Sequence, residues 1–136
     1  MKKITLSIML FTCIGFIACK KESTAKQPTT QDKLLGKWNL ISVDINDYFS
    51  GVAHPYIYTY APGDYMDFRN DGKLYGRFIG AYDTVAYAII SDSKIWIDTP
   101  ADVYDIKSMT AKDMQLYTKT IYNVTDYSES TVKLNR

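Results

Sequence analysis

The sequence predicts an all-β domain over residues 32–136, in which eight antiparallel strands close into a single up-and-down barrel after a short N-terminal helical turn. Two observations predict this fold class. Beyond residue 37 no window keeps a helical repeat, whereas short runs of alternating apolar and polar residues recur between turn residues. The links between these runs are short, which favours antiparallel neighbours. Closure into a barrel removes exposed edges, and a two-sheet sandwich is the alternative.

The first 18 residues have the pattern of a secretory signal peptide. Lys2 and Lys3 precede an apolar run over residues 4–18, which is shorter than the roughly 20 residues that a membrane-spanning helix needs. Residues 16–19 read Phe-Ile-Ala-Cys and resemble a bacterial lipobox. The resemblance implies that the signal is cut before Cys19 and that this cysteine carries fatty acyl chains such as palmitate. Lipid would then hold the protein at the outer membrane of the cell envelope.

A tether and one helical turn are predicted between Cys19 and the first strand. Residues 20–31 read KKESTAKQPTTQ and contain no large apolar side chain, so residues 19–31 predict a lipidated, flexible tether. Residues 32–36, Asp-Lys-Leu-Leu-Gly, then predict a short helical turn that ends at Gly36.

The first predicted strand covers residues 37–45 and changes phase along its length. Trp38 and Leu40 share one face, whereas Ile41, Val43 and Ile45 have the opposite phase. A β-bulge near Leu40 would bring both sets to the inner face, as a curved strand requires.

The remaining strands follow with turn residues between them. Residues 64–69 and 73–79 predict a hairpin around the Asn-Asp-Gly turn at 70–72. Five more strands are predicted at residues 84–90, 94–98, 103–108, 114–121 and 128–135. The side chains expected inside are Trp38, Leu40, Met66, Phe68, Leu74, Phe78, Val85, Ile89, Ile95, Ile97, Ile106, Leu116, Val132 and Leu134.

A barrel of this size either fills with its own side chains or holds one small ligand. Gly76, Ala86 and Ala88 are the small residues that would leave room for a ligand.

Several segments together resemble a known family. Residues 36–43, Gly-Lys-Trp-Asn-Leu-Ile-Ser-Val, resemble the Gly-x-Trp opening of lipocalins, and more closely the lipocalin-like domains of small Gram-negative bacterial lipoproteins. Residues 65–74 resemble the second hairpin of that family, and residues 104–109 with 114–116 resemble its closing strands. The resemblance covers most of residues 34–134.

The resemblance implies a structural signature and a function. Gly36 and Trp38 would form the barrel signature, with the tryptophan packed across the closed end against Lys133 or Arg136. The domain would bind a small apolar or amphipathic ligand.

The long segment at residues 46–63 departs from the family pattern and is rich in aromatic side chains. It could form an aromatic lid or contact surface at the barrel mouth, or fold back over an edge or a barrel end. Its alternating tyrosines could also form another strand. The candidate ligand- or partner-binding residues are Tyr48, Phe49, Tyr56, Tyr58 and Tyr60 of this segment, with Tyr87 and Trp96 of the barrel.

The composition excludes several classes of site. Removal of the signal takes away Cys13 and leaves Cys19 as the mature cysteine, so neither an intrachain disulfide nor a cysteine metal site is expected. Loss of Lys2 and Lys3 lowers the basic count from 16 to 14, against 15 acidic residues, which does not suit nucleic-acid binding.

Isolated polar residues carry weaker signals. The single histidine, His54, stands before a proline and lacks the pattern of a catalytic dyad. Asp98, Asp102 and Asp105 lack the spacing of a calcium loop and predict a solvated turn. Thr84, within Asp-Thr-Val, resembles an O-glycosylation acceptor of some Gram-negative lineages.

The sequence therefore predicts a binding protein rather than an enzyme, with no metal or cofactor. Its partners would be the membrane, through the lipid on Cys19, and a small apolar ligand. The alternative is a module for protein–protein interaction or inhibition in the envelope, with a filled barrel and no ligand.

Overall fold

The computed structural model describes residues 27–136, and within this range the chain forms one short helix and nine strands. The predicted signal peptide, Cys19 and the tether up to residue 26 lie outside the described residues. The elements are α1 (Thr30–Leu34), β1 (Gly36–Phe49), β2 (Val52–Thr59), β3 (Tyr65–Phe68), β4 (Lys73–Phe78), β5 (Ala81–Ser91), β6 (Lys94–Ile97), β7 (Val103–Met109), β8 (Asp113–Ile121) and β9 (Tyr127–Asn135).

Eight of the nine strands described close into an antiparallel barrel. Strands β3 to β9 follow one another from the edge of β1, and β9 pairs with the other edge of β1. The extra strand, β2, lies along β1 beyond β3: residues 36–39 of β1 pair with β3, and residues 42–49 pair with β2. The predicted eight-stranded barrel is confirmed. Residues 46–63, for which the sequence left a lid, a covering loop and a strand open, form the end of β1, the whole of β2 and part of the turn before β3.

Helix α1 begins two residues earlier than the predicted turn and covers the closed end of the barrel. The Thr29 side chain accepts from the Asp32 N–H at 3.1 Å while Asp32 accepts from the Thr29 N–H at 2.8 Å, which makes a capping box. The chain leaves the helix at Leu35, whose ψ of 139° is extended. This short helix places Leu34 in the core with no exposed surface.

The predicted bulge is present in β1. The register against β9 shifts between Leu40 and Ser42. Leu40 therefore lies opposite Leu134 and Val43 opposite Val132, and both β1 side chains are buried. Because directly opposed residues share a face of the sheet, the bulge brings the residues on either side of it inward. The prediction is wrong for Ile41, which lies at the bulge itself and is 41% exposed.

Side chains fill the barrel around its axis. Every side chain in the predicted interior list belongs to one hydrophobic cluster or packs against it, and Leu34, Tyr87 and Met114 also belong to the cluster. Phe78, Val85, Ile89, Ile106 and Val132 are the partly buried ones that pack against it. The space expected beside Gly76 is occupied, since a Cβ built there would lie 2.1 Å from a ring carbon of Phe78.

The two small alanines of β5 leave no room inside either. Ala86 and Ala88 alternate with Val85 and Tyr87, whose side chains pack into the core. The alanines therefore lie on the outer face of the barrel.

Arg136 packs across the closed end. Its guanidinium lies 3.8 Å from the Trp38 ring and donates to the carbonyl oxygens of Lys33 at 2.8 Å and Leu35 at 2.7 Å. The Trp38 indole donates to the Leu34 carbonyl at 2.8 Å. Of the two cations left open by the sequence, Arg136 is the one over the tryptophan, whereas Lys133 forms an ion pair with Asp44 at 2.6 Å.

Asp64 is a buried carboxylate that shapes the turn between β4 and β5. Its oxygens accept from the backbone N–H groups of Ile79 at 3.1 Å and Gly80 at 3.3 Å. Both turn residues have positive φ, 52° and 81°. For Ile79 this conformation is costly, and the two hydrogen bonds to a charged acceptor offset the cost.

Candidate functional site

Two long hairpins form an extended sheet of the order β2-β1-β9-β8. The β1–β2 hairpin closes at Ser50 and Gly51, between the paired residues Phe49 and Val52. Both turn residues have positive φ, 51° and 77°, which is the geometry that matches the twist of a two-residue hairpin. The β8–β9 hairpin continues to the pair Ile121–Tyr127. We call the turn at 50–51 and the loop at 122–126 the hairpin tips.

The two hairpin tips are hydrogen-bonded to each other. The Ser50 N–H donates to Asp126 Oδ1 at 2.7 Å, and the Gly51 N–H donates to the Thr125 carbonyl at 3.2 Å. Asn123 supports the arrangement, since its side-chain amide donates to Asp126 Oδ2 at 2.8 Å. These donors hold the pKa of the Asp126 carboxyl below its ordinary value, with the Ser50 N–H as the largest cause. The β1–β2 hairpin is thereby fixed to the β8–β9 hairpin rather than free.

The inner side of β2 carries an aromatic surface that continues the inner face of the barrel. Tyr58 lies opposite Val43, Tyr56 opposite Ile45 and His54 opposite Asp47. Because Val43 points inward, the even-numbered residues of β2 share that side. We call the set Phe49, His54, Tyr56, Tyr58 and Tyr60 the aromatic face.

Ring contacts order the aromatic face while leaving much of it exposed. Tyr58 and Tyr60 meet edge to face at 5.1 Å, and Phe49 and His54 lie 5.6 Å apart. Tyr56 is 51% exposed and Phe49 is 54% exposed. Apolar surface of this kind on a small domain indicates a contact site.

Tyr60 connects the aromatic face to the core. Its ring packs against the core cluster, and burial raises the pKa of its hydroxyl, with Tyr58 and Asp64 as further causes. Tyr104 of β7 also packs against the cluster, and burial is the largest cause of the raised pKa of its hydroxyl. Tyr60 therefore has a structural role in addition to its place in the face.

Exposed apolar side chains lie within the hairpin tips and directly beside them, at the end of the extended sheet. These residues are Phe49, Val52, Ile121, Tyr122 and Val124, of which Val124 is 99% exposed. The aromatic face thus continues into a second apolar area, beside the Asp126 carboxylate.

The outer side of the extended sheet is different in character. Tyr48 stacks on Tyr127 at 4.2 Å, and the Lys119 ammonium lies 3.7 Å from the Tyr127 ring. Lys119 also pairs with Glu129 at 3.2 Å. Charged groups and rings that satisfy one another in this way are typical of a solvated sheet face.

A groove of about 440 Å³ lies on this outer side. Its lining includes Asp44, Asn46, Ile57, Tyr117 and Glu129. The Oδ1 atoms of Asp44 and Asn46 are buried and have no hydrogen-bond partner among the described residues. Apolar walls with oxygen acceptors suit an amphipathic molecule that carries hydrogen-bond donors.

The structure brings together only part of the candidate set. Phe49, Tyr56, Tyr58 and Tyr60 share the aromatic face, whereas Tyr48 points to the opposite side of the same hairpin. The two barrel candidates lie apart from it. Tyr87 is 6% exposed in the core, with its hydroxyl donating to the Arg69 carbonyl at 2.7 Å. Trp96 alternates with the buried Ile95 and Ile97 and so lies on the outer wall of β6.

Other residues singled out from the sequence have ordinary surroundings. Asp105 accepts from Lys94 and from Lys107, and the hydrogen bond from Lys94 is the largest cause of its lowered pKa. Asp102 accepts from the Thr99 hydroxyl at 2.7 Å. Within residues 27–136 no group of three or more histidine, cysteine or acidic side chains could hold a metal ion.

Sequence reasoning missed Asp126, Tyr127 and Tyr117. Tyr127 immediately precedes the predicted last strand, and Tyr117 alternates with the inward Leu116, so both could have been placed on the outer side. The bond between Asp126 and Ser50 joins positions 76 residues apart and has no local signal.

Comparisons with known proteins give no relative. No family model matches the chain, and neither a curated protein nor a solved structure matches it. None of the helices in the part of the chain that the structure describes has the length and apolar character needed to cross a membrane.

Proposed function

We propose that this protein is a lipid-anchored, lipocalin-like lipoprotein of the outer membrane that binds another envelope protein through its aromatic face. The observation that carries the proposal is the contrast between a filled barrel and an exposed aromatic surface beside it. Side chains such as Trp38, Phe68 and Leu116 occupy the barrel with at most 1% exposure, whereas Tyr56 and Phe49 are half exposed. The role is binding, without a catalytic step.

The filled interior favours the protein-binding role over the small-ligand role inside the barrel. Ligand cavities in barrels need space along the axis, and here Phe78 covers Gly76 while Leu34 and Trp38 occupy the closed end. Tyrosine-rich surfaces lose little side-chain entropy on contact and offer a large area, which makes them effective in protein interfaces.

A second candidate function places a small ligand outside the barrel. The outer groove has a volume within the range of small-molecule sites, about 300–1,000 Å³. Its unpartnered oxygens on Asp44 and Asn46 favour an amphipathic ligand with hydrogen-bond donors. Native mass spectrometry of the protein purified from membranes, compared with an Asn46→Leu variant, tests this. A bound lipid-sized mass that the variant loses supports the groove, and no bound mass in either protein excludes it.

The anchoring part of the proposal depends on Cys19. Cys19→Ala should abolish acylation and leave an uncleaved precursor or release the protein from membranes. Intact-mass analysis of the membrane fraction decides, because acylation adds mass to a chain that begins at Cys19. A mature chain with an unmodified thiol would contradict the lipoprotein assignment.

Two positions on opposite faces of β2 test whether the aromatic face binds a partner. A photoreactive amino acid at position 58 reports on the aromatic face, and the same group at position 57 reports on the opposite side, where Ile57 is 68% exposed. We expect a defined covalent product with a different envelope protein, distinct from a second copy of this chain, from position 58 but not from position 57. Equal crosslinking to that protein from both positions, or none from position 58, would contradict the assignment.

Substitutions then measure the contribution of the face. The double variant Tyr56→Ser and Tyr58→Ser should weaken binding of the crosslinked partner by more than tenfold, or about 1.4 kcal/mol. Ile57→Ser is the matched control and should bind like the wild type. Tyr60 is left intact because it packs against the core.

A further inference from the structure

Strand β2 has an open edge. Among the described residues it pairs with β1 alone and stands at the end of the strand order. All eight of its residues, Val52–Thr59, are exposed. An unpaired strand edge is a template for another strand, and proteins usually protect such edges with charged side chains or proline. β2 reads VAHPYIYT, so it has no acidic, lysine or arginine side chain and a single proline, Pro55.

The backbone groups at this open edge can be assigned from the register. The Tyr60 N–H donates to the Ile41 carbonyl at 3.0 Å, in the same register that places Tyr58 opposite Val43. Hydrogen-bonded pairs alternate along an antiparallel ladder, so the even-numbered residues of β2 bond to β1. The odd-numbered residues, Ala53, Pro55, Ile57 and Thr59, therefore direct their backbone groups to the open edge.

Pro55 fits this assignment. Proline has no N–H to donate and is tolerated where that position faces away from the ladder. The open edge thus offers three N–H donors and one gap, and any strand that pairs with it must accommodate the gap.

We propose that a second copy of this chain pairs with the open edge of β2, antiparallel and centred on Tyr56. In that register Ala53 lies opposite Thr59 of the other copy, and Pro55 lies opposite Ile57. Every N–H donor on the edge then donates to a carbonyl of the other copy. Because Pro55 has no N–H, the Ile57 carbonyl of the other copy receives no hydrogen bond from it.

The side chains also complement one another in this register. Tyr56 faces its own counterpart, and His54 faces Tyr58, so aromatic residues pair on one side of the joined sheet. Ile57 faces Pro55 on the other side. Aromatic cross-strand pairs are among the favourable ones, and the absence of charge removes the like-charge repulsion that usually opposes self-pairing.

The experiment uses two differently tagged copies of the full chain, co-expressed and extracted from membranes in mild detergent. Co-purification of the second tag is measured. Tyr56→Lys in both copies places like charges directly opposite each other and should lower co-purification by about tenfold, as should Tyr56→Glu in both copies. One copy with Tyr56→Lys and the other with Tyr56→Glu should restore it.

Ile57→Lys in both copies is the matched control, because it adds the same charge to the same strand but faces Pro55 rather than its own counterpart. It should lower co-purification less than Tyr56→Lys does. Absence of co-purification in the wild type, or failure of the opposite-charge pair to restore it, would overturn the proposal. Loss with Ile57→Lys but not with Tyr56→Lys would overturn the register. A monomer that still crosslinks its partner from position 58 would leave the proposed function standing.

Discussion

Replacement of Leu116 by alanine tests whether the barrel is filled. Leu116 has no exposed surface and lies between Val132 of β9 and Ile106 of β7. The change removes three buried carbons, worth about 0.8 kcal/mol each, or about 2.4 kcal/mol in transfer free energy. The cavity left behind adds to this cost, because a closed barrel cannot collapse around it, so we expect a loss of about 3–4 kcal/mol in the free energy of unfolding.

Urea unfolding of the wild type and the variant measures the loss. The midpoint should fall with an unchanged slope, and the melting temperature should fall by roughly 12–24 °C for a loss of about 3 kcal/mol. Ile57→Ala, at a position 68% exposed, is the control and should stay within about 0.5 kcal/mol of the wild type. A loss below about 1 kcal/mol for Leu116→Ala would refute the packed interior and would favour a ligand cavity inside the barrel.

Three further changes test the contacts that fix the closed end, the β4–β5 turn and the hairpin tips. Arg136→Met removes the cation over Trp38 and should lower the free energy of unfolding by about 1–3 kcal/mol in urea titrations; an unchanged midpoint would contradict this. Asp64→Ala leaves two turn N–H groups without an acceptor and should cost about 2–3 kcal/mol, with a smaller loss for Asp64→Asn. The folded-state pKa of Asp126 is lowered, so the stability that its carboxylate contributes is present above its unfolded pKa and is lost as pH falls through the lower folded value. The Ser50 amide signal in NMR should therefore shift only in acid, below about pH 3.9. A shift near neutral pH would contradict the hydrogen bond.

The barrel could be predicted from the sequence because the alternation that marks each strand lies within that strand. Alternation with a period of two places residues such as Phe68 and Leu74 inward without knowledge of the partner strand. The phase change around Leu40 marks the bulge in the same way. Leu34 was missed because its burial depends on a helix too short to have a periodic pattern. Met114 was left out of the predicted interior because it stands at the start of its strand, where burial depends on the pairing with Leu134.

The candidate site could be predicted only in part. The alternation of Tyr56, Tyr58 and Tyr60 is present in the sequence, but it is compatible with a lid as well as with a strand. Formation of a strand depends on the turn at Ser50 and Gly51, whose sequence is not among the strongest hairpin signals. It also depends on a hydrogen bond from a distant loop. Which side each tyrosine faces follows from the register against β1, and that register is not encoded in residues 46–63 alone.

If Cys19 carries the proposed lipid, the described structure would hold the aromatic face away from the membrane. The Thr30 hydroxyl donates to the Asp92 carbonyl at 3.1 Å, in the turn between β5 and β6, so the described chain begins at the closed end. From there β1 runs 14 residues, about 46 Å at 3.3 Å per residue, toward the tips. A lipid on Cys19 would therefore hold the closed end near the bilayer and present the aromatic face to a partner beyond the lipid headgroups. Crosslinks from position 58 should accordingly be to protein rather than to phospholipid. Shortening the tether should reduce these crosslinks only if the partner lies farther from the membrane than the shortened tether allows the aromatic face to reach.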